Sequence, residues 1–485
     1  MVAISSAELY FSDMPIEDLK WCNVSLSEVI NAGKRLEAVV FNIEGKQARE
    51  VVANCKWGSA PLYGDKGIST AYTCGRFKRI WLEFSDLPIY QPSSITCIKP
   101  TPDGFLSRNT KTNIDALRVK KGQILITCSG TTGKVSLVSN TLDGEIFSHD
   151  LIRLDAKDKN DIGYIYIFLR SKTGNTLLQT NNYGAVIKHI EPEHLAEIPI
   201  PMPPQEIKAQ INELVLRSFE LRDKSNEILD SATALLVKEL NLPPIEEFAT
   251  EKVDGNADVN NYSIKLSELS GRFDGSFHVP IVNAIKEHLK KHSKEITTVS
   301  DKRLSKDVIL PGRFKRTYVA EKMGVKFIGG KEISQLLPDT GKYLSRKAHC
   351  KQLNKGLEIK ENSLLTPARG TLGSVVMSPQ HFYGWAISDN LIQIVGLHET
   401  YGYLFVFLNT EYGSALIKRF TYGGVVDALE PSHLNNVEVP LLKNGEVQSE
   451  INRLALEAND LRYQAYLCEQ EAMKILNEEV LYVVL

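Results

Sequence analysis

The spacing of apolar residues changes twice along this chain, and in the same way each time. Short apolar runs, such as Gln123 to Cys128 and Ser363 to Leu365, are cut by Gly-rich turns and predict brief β-strands. Val282 to His292 carries helical spacing instead and predicts an amphipathic helix. Prolines close each stretch: Pro199, Pro201, Pro203 and Pro204 in the first, Pro440 in the second. Beyond them the period becomes seven. Ile207, Leu214, Leu221, Ile228 and Leu235 keep it, as do Val447, Leu454, Leu461, Cys468 and Ile475. Such a run predicts a long helix with a coiled-coil seam. The companion positions are mostly small (Ile211, Ser218, Ser225, Ala232; Ile451, Ala458, Ala465, Ala472), and small residues let two helix backbones approach closely.

The repetition extends to the residues themselves. Gly75-Arg76-Phe77-Lys78-Arg79 recurs intact as Gly312-Arg313-Phe314-Lys315-Arg316. The block Tyr183 to Leu195 returns as Tyr422 to Leu434 with seven of thirteen positions identical. Ser129 to Lys134 matches Arg369 to Ser374, Ser148 to Leu154 matches Ser388 to Ile394, and Arg35 to Phe41 matches Arg272 to His278. All offsets lie between 237 and 240 residues. Blocks in one order and nearly one register mark a duplicated unit.

The duplication sets the expected architecture. Residues 1–203 and 262–445 are two mostly-β globular domains, 204–240 and 446–485 are the long helices, and 241–261 is a polar linker. The fold class is α+β, with the two helices packed as an antiparallel coiled coil about a pseudo-two-fold axis. A helix of about 35 residues separates its ends by roughly 50 Å.

Composition adds little until it is divided along the chain. Hydrophobic residues make up 43% and charged residues 24%, an ordinary globular mixture, with a net charge of -2. That total conceals segregation. Residues 76–121 hold nine Lys/Arg against four Asp/Glu, and 302–331 hold nine against two. Both helical stretches are acidic, with six basic against twelve acidic residues in 204–260 and three against eight in 446–479. Basic segments interleaved with Phe77, Trp81, Phe314 and Tyr318 suit phosphate contact and steered association with a polyanion. On duplex DNA, ~50 Å is roughly fifteen base pairs, so two such domains would read two separated patches. The copies differ (Lys134 against Ser374, Lys188 against Asp427), which makes the expected target bipartite and asymmetric.

At this level the duplicated blocks resemble the specificity subunit of type I restriction–modification enzymes. The resemblance rests on Arg35-Leu36-Glu37, Ser129 to Val135, Tyr183-Gly184-Ala185 and Glu191 to Leu195, with their second copies and the paired helices, and it covers essentially the whole chain. It implies that 1–203 and 262–445 are target-recognition domains, each reading half of a DNA site, and that the helices act as the spacer. It also implies two methyltransferase subunits and translocase–nuclease subunits as partners, with methyl transfer and cleavage supplied by them. The expected DNA-facing residues are Arg76, Lys78, Arg79, Thr131, Lys134, Lys188, Arg313, Lys315, Arg316, Arg369 and Thr371. Phosphate contacts of this kind position a duplex rather than read it.

Catalytic readings do not hold together. Ser129 to Lys134 lacks the Walker spacing, and its copy has Ser374 where Lys134 stands. His194 and His433 recur without a nucleophile block, so capping or packing is expected of them. Met202-Pro203-Pro204-Gln205 does not replace the Asn/Asp-Pro-Pro-aromatic motif of adenine methyltransferases. Seven scattered cysteines without Cys-x-x-Cys spacing predict neither a disulfide framework nor a zinc site. The expectation is a non-catalytic cytoplasmic protein with no cofactor, no metal, no secretion signal and no membrane partner. The alternatives are a duplicated binding module for another polyanion or a protein, and an unrecognised enzyme.

Overall fold

Ile124 to Thr127 is buried along its whole length, which a strand achieves only when both faces of its sheet are covered. The computed structural model shows how that cover is built. It describes residues 23–31, 41–180, 189–249, 263–269, 271–338, 340–370, 372–423 and 426–482. The Arg35 block except Phe41, the stretch Tyr183 to Lys188, Thr371 and most of the linker lie outside the described residues. The chain divides into two compact units. Unit one comprises Met1–Thr96, Pro100–Phe219 and Cys468–Leu485; unit two comprises Cys97–Lys99 and Glu220–Leu467.

In unit one a short helical segment at Leu26–Asn31 precedes helix α1 (Ile43–Ala53), which is capped by Asn42, whose side chain accepts the Glu44 N–H. Ten strands follow: β1 (Ser59–Pro61), β2 (Ser69–Tyr72), β3 (Trp81–Leu82), β4 (Pro88–Tyr90), β5 (Gly104–Leu106), β6 (Ile124–Thr127), β7 (Val135–Leu137), β8 (Ile146–Phe147), β9 (Leu151–Ala156) and β10 (Pro199–Pro201). Helices α2 (Ile162–Arg170) and α3 (Lys172–Thr180) lie between β9 and β10. The strands make a β1-β10 pair and two four-stranded sheets, ordered β2-β9-β6-β7 and β3-β5-β4-β8. Pairing is antiparallel except between β4 and β8.

Alternation along β6 distributes its side chains between two layers. Ile124 and Ile126, with Ile152 and Leu154 of β9, enter a core shared with α2 and α3. Leu125 and Leu151 turn the other way, toward Tyr90, Val119 and Phe147. The second sheet's opposite face carries Ile89, Leu106 and Ile146. The first core also takes Ile211, Val215 and Phe219 from the start of helix α4 (Gln205–Glu239) and Ala472, Ile475, Leu476 and Val480 from the chain's end.

Unit two has the same plan. Helix α5 (Pro280–His292) precedes β11 (Glu295–Thr298), β12 (Ser305–Ile309), β13 (Tyr318–Val319), β14 (Gly324–Ile328), β15 (Tyr343–Ser345), β16 (Ser363–Pro367), β17 (Val376–Met377), β18 (Ala386–Ile387), β19 (Leu391–Gly396) and β20 (Glu438–Leu441). The sheet orders are β11-β20, β12-β19-β16-β17 and β13-β15-β14-β18, each strand standing where its counterpart stands in unit one. Helices α6 (Tyr401–Leu408) and α7 (Glu411–Lys418) repeat α2 and α3. Leu364, Ile392 and Ile394 join their core, and Leu365 and Leu391 face the second sheet. To that core α4 adds Ile228, Leu229, Ala232 and Leu236, and helix α8 (Gly445–Ile475) adds Ile451, Ala455 and Ala458. The fold mixes helix and sheet, as the α+β class requires. Among the described residues, no helix is long and apolar enough to cross a membrane.

Candidate nucleic-acid interface

Between β2 and β3 the chain of unit one leaves its first sheet for its second, and this crossing carries Gly75 to Arg79. Arg76 and Lys78 are exposed. Among the described residues neither side chain has an ion-pair partner. Arg79 is tethered instead: its Nη2 donates to Ser148 Oγ at 3.1 Å and lies 4.0 Å from Asp150 Oδ2. Ser148 also accepts the Asp150 N–H, so a short turn before β9 holds the arginine. Phe77 packs edge-on against His149. Burial lowers the His149 pKa; Asp150 opposes that, while Arg79, Arg76 and Arg153 reinforce it.

Unit two repeats the arrangement with one change. Arg313 and Lys315 are exposed, and Arg316 pairs with Asp389. Ser388 again accepts the N–H of the residue two further on, here Asn390. The carboxylate has therefore moved by one position, from the place of Asp150 to that of His149, and still meets the arginine. Sequence comparison aligns these turns as blocks but misses their carboxylates as partners of the basic segment. The signal was a serine turn recurring at a fixed distance before an apolar strand.

Behind the turn, Arg153 is fully buried, and its guanidinium donates to the carbonyls of Leu117, Leu151, Phe147 and Ser148. Burial lowers its pKa, with Cys74, Tyr72 and Cys128 opposing. The matching buried residue in unit two is Gln393, whose Oε1 accepts the Lys360 N–H and the Ser363 hydroxyl. One unit thus holds a buried charge where its twin holds a neutral amide.

The Gly130 to Gly133 segment is the β-hairpin turn between β6 and β7. Thr127 Oγ1 donates to the Thr131 carbonyl and accepts the Lys134 N–H. Gly130 and Gly133 have φ of 68° and 83°, a left-handed conformation that favours glycine. A Cβ at Gly373, the counterpart of Gly133, would come 2.6 Å from Ser414 Oγ. Thr131 and Arg369 are exposed at the tips, and Lys134 is half-buried. Lys188 and Thr371 lie outside the described residues.

The recurring histidines have structural work. His194 Nδ1 accepts the Glu191 N–H at 3.0 Å, completing a reciprocal cap. His433 packs against Phe420 and Tyr422, and burial lowers its pKa. Burial pushes the Cys128 thiol up to about 11, which leaves it protonated at neutral pH. Among the described residues, no group of three or more His, Cys, Asp or Glu is placed to hold a metal.

On the long helices, Leu221, Ile228 and Ile475 of the heptad set are buried; Ile207, Leu214, Leu235, Val447, Leu454, Leu461 and Cys468 are half-buried. The small companion line is the deeper one. Ile211, Ser218, Ser225 and Ala232, with Ile451, Ala458, Ala465 and Ala472, are all at most 1% exposed. Small side chains bring the neighbouring backbone close enough to cover them, and the larger heptad residues flank that line. In unit one, Ser218 and Tyr166 both donate to Glu469 Oε1 at 3.2 Å. In unit two, Arg462 donates to Asn226 Oδ1 at 3.3 Å, and burial lowers its pKa to about 10.

Comparison with known proteins gives what the chain is similar to. Residues 85–228, from just before β4 into the second half of α4, match the family model described as the type I restriction modification DNA specificity domain. No curated protein sequence matches the chain. Among solved structures, the chain is similar to the type I restriction–modification S subunit from M. genitalium, with 12% identity over 87% of this chain and 98% of that one and a TM-score of 0.28. It is also similar to the HsdS subunit from Thermoanaerobacter tengcongensis, with 13% identity, coverage of 86% and 98%, and a TM-score of 0.26. A structure describing complex assembly and conformational transition of the type I R-M system gives 14% identity, the same coverage and a TM-score of 0.26. Over residues 85–228, then, the chain is similar to a type I restriction modification DNA specificity domain.

Proposed function

We propose that this chain is the DNA sequence-recognition subunit of a type I restriction–modification complex. Each unit acts as a target-recognition domain and reads one half of a bipartite, asymmetric site. The helices α4 and α8 pair antiparallel as the spacer, and the chain scaffolds two methyltransferase subunits and the restriction subunits. Methyl transfer and cleavage come from those partners.

One observation carries the reading. Two sheets of the same strand order occur in both units, and in both an exposed basic, aromatic segment occupies the crossing between them. A site duplicated with its scaffold serves two similar ligands, and phosphate backbone beside base faces matches cations beside aromatics. Divergence at the turn (Asp150 against Asp389, Arg153 against Gln393) supports unequal half-sites. For the helix pairing, the support is that the residue numbers of two polar contacts, Ser218 with Glu469 and Asn226 with Arg462, run in opposite directions. In each helix small residues fill the most buried line.

Mapping methylated adenines across the genome, with and without this gene, tests the proposal. The expected result is loss of one split, asymmetric motif. Gel shifts with that duplex, against versions with either half shuffled, should show weaker binding for both. An unchanged methylation map, together with binding that ignores sequence at every salt concentration, would refute it.

A further inference from the structure

Ile80, Trp81, Leu82 and Phe84 are all exposed, Phe84 at 80% and Trp81 at 48%. They form and flank β3, the edge strand of the second sheet in unit one. Scattered exposed apolar residues need no explanation, but a contiguous patch marks a contact surface. Side chains alternate along the strand: Leu82 pairs with Phe105 and Trp81 with Leu106, so Leu82 and Phe84 share one face and Trp81 takes the other. Trp81 lies over Gly104 of the neighbouring strand, where a Cβ would stand 2.7 Å from the indole ring. Phe84 rests against Phe105, with ring centroids 5.2 Å apart. A rigid aromatic loses little entropy when it binds.

The surroundings identify the occupant. Arg76 and Lys78 stand exposed on the segment leading into the patch, and the Arg79 guanidinium lies 6.0 Å from the Trp81 ring. An apolar aromatic edge beside cations complements a polyanion that presents π-faces. We propose that Phe84, with Leu82 beside it on the same face, forms a wedge that enters an unstacked base step of duplex DNA. Such insertions unstack bases and kink the duplex. The matching part of unit two exposes Tyr318 and, at 72%, Met323, a smaller tip at the same place. The wedge rests on the DNA-recognition reading above and adds to it deformation of the DNA by one half of the protein.

The test uses the full chain and two probes: a pool of random-sequence 30-base-pair duplexes, and the same pool with one central mismatch. A mismatch has already lost part of its stacking, so the wild-type chain should bind the mismatched pool about tenfold more tightly. Phe84→Ala should abolish that preference and keep the salt dependence, and Phe84→Tyr should retain both. Circular dichroism of both variants checks that they are folded. Equal affinity of the wild type for the two pools, or a preference that survives Phe84→Ala, overturns the wedge alone. A change in molar mass by light scattering on Phe84→Ala would assign the patch to a second copy of the chain and also overturn it. Binding to neither pool would overturn the DNA reading with it.

Discussion

Gly163 donates its backbone N–H to the side-chain oxygen of Asn212 at 2.7 Å, and Gly402 makes the same bond to Asn452 at 2.8 Å. Each bond ties the buried first helix of a pair, α2 or α6, to a long helix. The next residue adds a second tie: Tyr164 donates to the Pro201 carbonyl, and Tyr403 to that of Pro440. A Cβ at position 163 would meet Asn212 Cα at 2.8 Å, and one at 402 would meet the Asn452 carbonyl oxygen at 2.7 Å. Backbone cannot swing aside as a flexible side chain can. Gly163→Ala and Gly402→Ala should therefore each destabilise their unit by about 1–3 kcal/mol, read as a lower denaturant midpoint. Unchanged midpoints in both variants would mean that the helices do not approach this closely.

That contact shows where sequence pattern stops. Gly163 and Gly402 both lie in apolar runs, and a period count treats them as weak members of a buried helix. Their reason is a neighbour 49 or 50 positions away. The long helices were legible because heptads are local: Gln205–Glu239 and Gly445–Ile475 are continuous helix. Which line along them is most covered was less so, since leucines outrank alanines on any hydrophobicity scale while close packing puts Ala458 and Ala465 deepest. At the candidate interface, the basic segments stood out by repetition. Their carboxylate anchors did not, because Asp150 and Asp389 occupy different positions of the aligned turn.

The anchored arginine and its free neighbour should behave differently. Lys315→Ala should weaken DNA binding and lower the slope of log affinity against log salt by about 1. Arg316→Ala removes the same charge but also leaves Asp389 without its partner, so its loss of affinity should be larger. Adding Asp389→Ala should bring affinity back toward the Lys315→Ala level. Equal losses for the two single variants, measured by fluorescence anisotropy over a salt series, would mean that Asp389 has no effect on the interface.

His381 makes unit two sensitive to acid. Its ring stacks on Tyr466 at 3.9 Å and its Nε2 donates to the Leu336 carbonyl. Burial, with Lys326 and Arg222 adding to it against that hydrogen bond, lowers its pKa to about 3. The unfolded chain takes a proton near pH 6.5, which the folded chain refuses. The stabilising contribution is therefore complete above about pH 6.5 and is lost as pH falls toward 3, at ~1.4 kcal/mol per pH unit. Thermal melts between pH 7 and 5 should show a falling midpoint, and His381→Phe should flatten part of that fall. His149 and His433, lowered by burial too, add to the fall in the same direction. A slope unaltered by His381→Phe would show that the histidine titrates normally.

Spacer length is the property on which the proposed function can be measured most directly. Removing one heptad from both α4 and α8 preserves the side on which every remaining small residue faces, because seven residues are two helical turns within about 20°. The helices should then pair as before while becoming shorter by ~10 Å. On duplex DNA that is about three base pairs, so the two half-sites should keep their bases while the unread gap between them contracts. A deletion of three or four residues would instead rotate Ala458, Ala465 and Ala472 off the buried line, and the folded chain should be lost. Methylation mapping in cells expressing each variant separates these outcomes. A seven-residue deletion that methylates with the original gap would remove the helices from the role of spacer, and one that changes the bases themselves would place sequence reading outside the two sheet-bearing units.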